Sequence, residues 1–182
     1  VAAPQNRVRI NAGIWRSRLL TFPDGPGLRP TPDRVRQTVF NWLGQDMHGL
    51  ACLDLFSGTG AMGFEALSRG ARQALMIEKS PIAYKALLHN KAALGATDAD
   101  IRQMDAMQFL SQNVQRFDVI FLDPPYHQDW IPRLLNQAGA HLAEHGQVYV
   151  EAEYALTDSD HWHIARQGKA GNVFYHLLEF KN

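Results

Sequence analysis

The chain is 182 residues long, 46% hydrophobic and 20% charged, with one cysteine, Cys52, and no formal net charge. That length favours a single domain able to bury its own core, and one cysteine excludes an internal disulfide or a cysteine-based metal cluster. No apolar run approaches the ~18 residues of a membrane helix, and the N-terminal Val-Ala-Ala-Pro-Gln-Asn-Arg lacks the apolar stretch of a signal peptide, so a cytoplasmic protein is the expectation.

The neutral total hides an asymmetry. Residues 1–36 carry Arg7, Arg9, Arg16, Arg18, Arg29, Arg34 and Arg36 against only Asp24 and Asp33, while residues 37–182 carry more acidic than basic side chains. The arginine fork grips phosphate at two points and stacks on bases. A basic arm on an acidic body suggests a polyanionic partner; a solvated face is the plainer alternative. Within that arm, residues 7–22 alternate around Asn11-Ala12-Gly13 and predict two short strands in a hairpin. A Pro/Gly-rich loop follows at 23–27. Thr31 then reads as a helix N-cap with Pro32 at the first helical position, and Val35, Val39, Phe40 and Leu43 recur at helical spacing up to Gly44.

Beyond Leu50, apolar strands alternate with helices. Strands are predicted at 51–55, 74–77, 100–104, 119–122 and 147–151, and helices at 61–69, 81–94, 106–113 and 129–143, the last interrupted by Pro132. Residues 161–166 and 172–180 read as a terminal hairpin around Gly168-Lys169-Ala170-Gly171. This alternation predicts an α/β fold with a parallel sheet covered on both faces. Such sheets bind ligands at the carboxyl ends of their strands.

Gly58-Thr59-Gly60-Ala61-Met62-Gly63 follows the first of these strands and opens a helix. Glycines there permit a tight turn and close backbone approach to a ligand. Glu78, 20 residues after Gly58 at the next strand end, stands where a carboxylate would accept ribose hydroxyls. A nicotinamide dinucleotide and S-adenosylmethionine both present an adenosine to such a corner. Asp54 favours the second, because a carboxylate repels a pyrophosphate and welcomes a sulfonium and its ammonium group.

Asp123-Pro124-Pro125-Tyr126 directly follows the strand at 119–122. The two prolines remove backbone donors and stiffen the turn. A free carbonyl and the Asp123 carboxylate suit the two N–H groups of an exocyclic amine, and Tyr126 offers a ring for stacking. Held in that way, the amine's lone pair is aimed at a methyl donor. Catalysis by this geometry is positioning and electrostatics rather than strong-base chemistry.

The set Asp54-x-Phe56-x-Gly58-x-Gly60, Glu78 and Asp123–Tyr126 resembles class I S-adenosylmethionine-dependent methyltransferases that act on amino nitrogens. Gly13-x-Trp15-Arg16-x-Arg18-x-Leu20, Arg29-Pro30-Thr31-x-x-Arg34-Val35-Arg36 and Phe40-Asn41-Trp42-Leu43 narrow the resemblance to the bacterial RsmD family, over nearly the whole chain. The resemblance implies a Rossmann-like, seven-stranded, mostly parallel sheet with helices on both faces, in which the last hairpin adds one antiparallel strand. It also implies an N-terminal β-hairpin extension that contacts RNA, dividing the chain into 1–44 and a catalytic unit at 45–182. The implied reaction is methylation of guanine N2 in small-subunit ribosomal RNA, free or assembled, with S-adenosylhomocysteine as product and no metal, by a monomer. Asp123, Pro124, Pro125 and Tyr126 would be catalytic. Asp54, Phe56, Ser57, Gly58, Thr59, Gly60 and Glu78 would hold the cofactor, with Asp105 and Ala106 at its adenine and Arg29 and Thr31 near its methionine end. Arg7, Arg9, Arg16, Arg18, Arg34 and Arg36 would meet RNA.

The residues alone leave alternatives open. An adenine-N6 DNA methyltransferase uses the same tetrad, and a non-catalytic RNA-binding assembly factor or a nicotinamide oxidoreductase would share parts of the pattern. His161 and His163 flank Trp162 without a third ligand and read as ordinary strand residues. Cys52 reads as core, His127 as a loop residue, and Trp15 as either packing or base stacking.

Overall fold

The computed structural model describes residues 6–26 and 28–182. The N-terminal residues 1–5 and Gly27 of the Pro/Gly loop lie outside the described residues. Seven strands form one sheet: β3 (Ala51–Asp54), β4 (Gln73–Glu78), β5 (Ala99–Gln103), β6 (Phe117–Leu122), β7 (Leu142–Ala152), β8 (Trp162–Ala170) and β9 (Val173–Phe180). Their order is β5-β4-β3-β6-β7-β9-β8. Neighbours from β5 to β7 are parallel, and β9 runs antiparallel to β7 and β8. A separate two-stranded hairpin pairs β1 (Asn6–Arg9) with β2 (Leu19–Phe22).

Side chains alternate across each strand and so sort into two apolar layers. Cys52, Met76, Phe121 and Tyr149 face α1 (Asp33–Trp42), α2 (Ala61–Ser68) and α3 (Pro81–Leu94). Leu53, Ile77, Ile120 and Val150 face α4 (Ala106–Gln112) and α5 (Trp130–Ala138). The N-terminal segment belongs to the first layer: Val8, Ile10, Leu20 and Phe22 pack in one cluster with Phe64 and Leu87. Every residue of α2 is buried, because the sheet covers one side and the 10–18 loop the other.

Three local expectations change. Thr31 does not cap α1; Pro32 is the N-cap, with no side-chain cap bond, because the Thr31 hydroxyl turns inward to Glu151. The helix expected over 129–143 stops at Ala138, after which a single 3-10 turn, Gly139–His141, leads into β7. Leu142 pairs with Phe117, and a sheet partner outcompetes another helical turn. The glycine stretch at 168–171 is mostly strand, with Gly168 opposite Tyr175 and the reversal at Gly171. A Cβ on Gly168 would lie 2.5 Å from the Tyr175 ring, so this glycine serves close packing rather than a turn.

Candidate active site

The order of the sheet reverses between β3 and β6, and the ligand crevice of a doubly wound sheet lies outside the carboxyl ends at that point. Asp54 ends β3 there and is buried. The loop from Leu55 to Gly60 then turns with positive φ at Gly58 (53°) and Gly60 (82°). A Cβ on Gly60 would lie 2.7 Å from Leu87 and Phe64, so a side chain is excluded by both backbone and space. Ser57 is buried and donates to the Asp54 carbonyl at 2.9 Å, and Thr59 is buried beside it. Phe56 meets Trp130 edge-on at 5.4 Å. Glu78 holds the loop: Oε1 accepts the Gly58 N–H and Oε2 the Ser80 N–H, each at 2.8 Å. Asp105 caps α4 through Oδ2, accepting from Met107 and Gln108 at 2.9 and 3.2 Å. Ala106, the first residue of that helix, is buried.

Asp123–Tyr126 continues β6 into the same crevice. One position past the Leu122–Val150 pair, Asp123 shares a hydrogen bond with Glu151 of β7. Glu151 is buried, and its Oε1 accepts the Thr31 hydroxyl at 2.8 Å and the Tyr149 hydroxyl at 2.6 Å. Burial, and then the neighbouring Glu151, push the Asp123 carboxyl well above the usual carboxylate range. Burial lifts Asp54 to about 7 against backbone hydrogen bonds from Gly63 and Phe56, with Glu78 and Glu151 adding to the rise. Burial, and then Asp123, Glu151 and Glu153, raise the Tyr126 phenol to about 12, so it stays neutral. Asp54 and Asp123 thus share one poorly solvated corner and hold protons that a cation beside them would displace. Beyond the tetrad lies a cavity of about 550 Å³, walled by Pro124, Pro125, Tyr126, Trp130, Glu151, Glu153 and Tyr154 among others. Tyr126 is 38% exposed and has a ring free to stack.

Of the N-terminal arginines, Arg7, Arg9, Arg16, Arg18, Arg29 and Arg34 are exposed. Arg18 donates to the Ala93 carbonyl in the last turn of α3 at 2.9 Å, and Arg9 to the Ser17 carbonyl at 3.2 Å. Arg36 is different and the RNA-contact expectation for it is corrected: its side chain is 0% exposed. It donates to Glu65 at 3.1 Å, to the Thr31 and Arg9 carbonyls, and to Asp33. A helix position facing the core cannot point a guanidinium at solvent, and Glu65 compensates its charge. Among the residues set aside, His163 pairs with Asp158 at 2.9 Å, His161 stacks on Phe180, and burial pushes the Cys52 thiol up to about 12. Among the described residues, no group of three or more His, Cys, Asp or Glu is arranged to hold a metal, and no helix is long and apolar enough to cross a membrane.

Sequence reasoning missed Glu65, Glu151 and Glu153. Each had a signal: Glu65 is the one charge in the otherwise uncharged run 61–68, and Glu151 and Glu153 follow the apolar run 148–150, whose last residue pairs with Leu122 just before the tetrad.

A glycine loop and acid at the ends of β3 and β4, with the Asp123–Tyr126 tetrad at the switch point, mark a class I methyltransferase. Solved structures agree: the chain superposes on yhhF of Escherichia coli, described as a methyltransferase, with a TM-score of 0.86 and 39% identity, over 97% of this chain and 99% of that one. It shares the fold alone with SMU.776, a methyltransferase complexed with S-adenosylhomocysteine, at 15% identity and a TM-score of 0.74 over 98% of this chain and 57% of that one. The family model described as Conserved hypothetical protein 95 matches residues 8–179. Ribosomal RNA small subunit methyltransferase D of Escherichia coli is 40% identical over 178 residues, covering 95% of this chain and 90% of its own length. The chain belongs to that family.

Proposed function

We propose that this protein is a cytoplasmic S-adenosylmethionine-dependent enzyme that methylates N2 of a guanine in small-subunit ribosomal RNA, presented in an assembled or assembling subunit. The observation that carries the reading is the placement of Asp123–Tyr126 at the carboxyl end of β6, beside the glycine loop and open to a cavity with ample room for a base. The residues fit the cofactor. Gly58 and Gly60 leave room for close approach, Glu78 offers carboxylate oxygens beside the loop, and Asp54 is a buried acid whose ionisation a cation would favour. Asp105 has an oxygen, Oδ1, outside its helix-capping bonds. When bound, the cofactor supplies an electrophilic methyl group.

The chain's own work is to bring a weak nucleophile into line. A guanine flipped out of its RNA stack is received between Tyr126 and the cavity wall. The Asp123 carboxylate and the Pro124 carbonyl accept hydrogen bonds from the two N2 N–H groups, which draws the nitrogen lone pair out of the ring and toward the methyl carbon. As the N–C bond forms and the sulfur–methyl bond breaks, the nitrogen gives up one of those protons to the Asp123 carboxylate. Glu151, fixed by Thr31 and Tyr149, keeps Asp123 in place. Prolines at 124 and 125 make that geometry rigid before substrate arrives, so little reorganisation is left for the reaction itself. The six exposed arginines of the N-terminal segment would hold the RNA backbone.

The test is methyl transfer to small-subunit RNA, free and in subunits, from cells lacking the gene, followed by mass analysis of nucleosides. N2-methylguanosine should appear with the wild-type protein. Asp123→Ala should lower the single-turnover rate by about 10²–10³-fold while S-adenosylhomocysteine affinity in calorimetry stays the same. A near wild-type rate for that variant would reduce the tetrad to a structural turn.

A further inference from the structure

An amine-gripping tetrad does not by itself distinguish bases. Guanine and adenine differ in what flanks the amino group. Beside N2 of guanine lies N1–H, a donor; beside N6 of adenine lies N1 with a lone pair, an acceptor. A pocket that selects guanine therefore needs a second acceptor next to the one that holds the amine.

Glu153 is placed to be that acceptor. It lies one residue past the end of β7, two positions after Glu151, and lines the cavity with Pro124, Pro125 and Tyr126. Glu151, which also borders the cavity, is only 6% exposed, and its Oε1 is taken by the hydroxyls of Thr31 and Tyr149. The Glu153 side chain, by contrast, is 32% exposed. Its orientation is set by the residue that follows the tetrad: Oε2 accepts the His127 backbone N–H at 3.2 Å, and Oε1 lies 3.2 Å from His127 Nε2. His127 holds a positive φ of 65°, so this contact ties the acid to the tetrad through one constrained residue. An ionised carboxylate offers about four acceptor positions, and the His127 backbone N–H takes one of them.

We propose that Glu153 selects the base by accepting N1–H of the target guanine while Asp123 and Pro124 hold N2, and by repelling the N1 lone pair of adenine. This rests on the guanine-N2 reading above. A hydrogen-bonding site of this kind rejects an analogue that lacks the matching group more strongly than an apolar pocket does.

The test uses small-subunit RNA, reconstituted into subunits, with either guanine or 2-aminopurine at the methylated position. 2-Aminopurine keeps the exocyclic amine but has an acceptor at N1 in place of the donor. Wild type should methylate it at least tenfold more slowly, in kcat/KM, than guanine. Glu153→Gln, whose amide can donate to N1, should lose at least tenfold on guanine and gain on 2-aminopurine, so that the preference closes or reverses. S-adenosylhomocysteine binding by calorimetry should match wild type and confirm that the variant is folded. If Glu153→Gln slows both substrates by the same factor, Glu153 only braces His127 and the proposal is overturned. A wild type that accepts both bases equally overturns this proposal alone. A wild type that leaves guanine unmethylated overturns the guanine reading and this proposal with it.

Discussion

The carboxyl edge of the sheet and the N-terminal hairpin solve opposite electrostatic problems. At the sheet edge, Asp54 and Asp123 are drawn out of water beside the buried Glu151 and pushed toward their neutral forms, an arrangement that is costly until a cation arrives. On the N-terminal segment, six arginines stand in water, and a single one, Arg36, is buried against Glu65. Burial therefore decides the role of a charge: acids in the crevice are built for a ligand, exposed arginines are available to a partner, and Arg36 is part of the fold.

The sharpest way to break that comparison is to remove the buried cation. Arg36→Ala leaves Glu65 with Arg69 but without its fully buried partner, and should cost about 3–5 kcal/mol in urea unfolding. Arg34→Ala, two residues away and exposed, should change stability by about 0.5 kcal/mol or less. Equal effects would erase the distinction.

The acid corner makes a pH prediction. The Asp54 pKa is raised on folding from its ordinary 3.8 to about 7, so the folded state binds the proton more tightly than the unfolded state does. Its contribution is fully present below pH 4 and is lost as pH rises through 7. Between those limits the ligand-free protein should lose about 4 kcal/mol from this group, at ~1.4 kcal/mol per unit. Thermal unfolding of Asp54→Asn across the same range should show a flatter profile. Glu78→Ala should weaken S-adenosylmethionine binding in calorimetry by about 1.5–3 kcal/mol, since both the ligand's partner and the brace on Gly58 disappear. The smallest effect belongs to the exposed arginines. For Arg16→Ala/Arg18→Ala, the salt dependence of RNA binding should flatten by at most about two units, near 0.7–0.9 for each lost phosphate contact. An unchanged slope with unchanged affinity would make that surface a solvated face.

Legibility differed between the two regions for a physical reason. The glycine loop, Glu78 and the tetrad act through backbone shape and strand-end position, and both are local in sequence. The same locality made the strand–helix alternation readable. Glu151 depends on which strand lies beside β6, and the role of Arg36 depends on what α2 presents across 29 positions of chain. Thr31 failed as a cap for the same reason, since its partner lies 120 positions away. The boundary between α5 and β7 moved because a sheet pairing, Leu142 with Phe117, decided it rather than helix propensity.

The helix α2 carries one further consequence. Its first residue follows Gly60 of the glycine loop, while Glu65 and Ser68 clamp the 10–18 loop through the N–H groups of Asn11, Ala12 and Trp15. Gly13 lies so close that a Cβ would fall 1.8 Å from the Ser68 carbonyl oxygen. An eight-residue helix is about 12 Å long, so the arginine hairpin and the glycine loop are attached to the two ends of one short rigid strut. That strut works as a ruler that fixes the separation between the exposed arginines and the glycine loop. Lengthening it by one residue would turn the hairpin by about 100° around the helix axis, and a graft of the hairpin onto another methyltransferase would have to carry the strut with it.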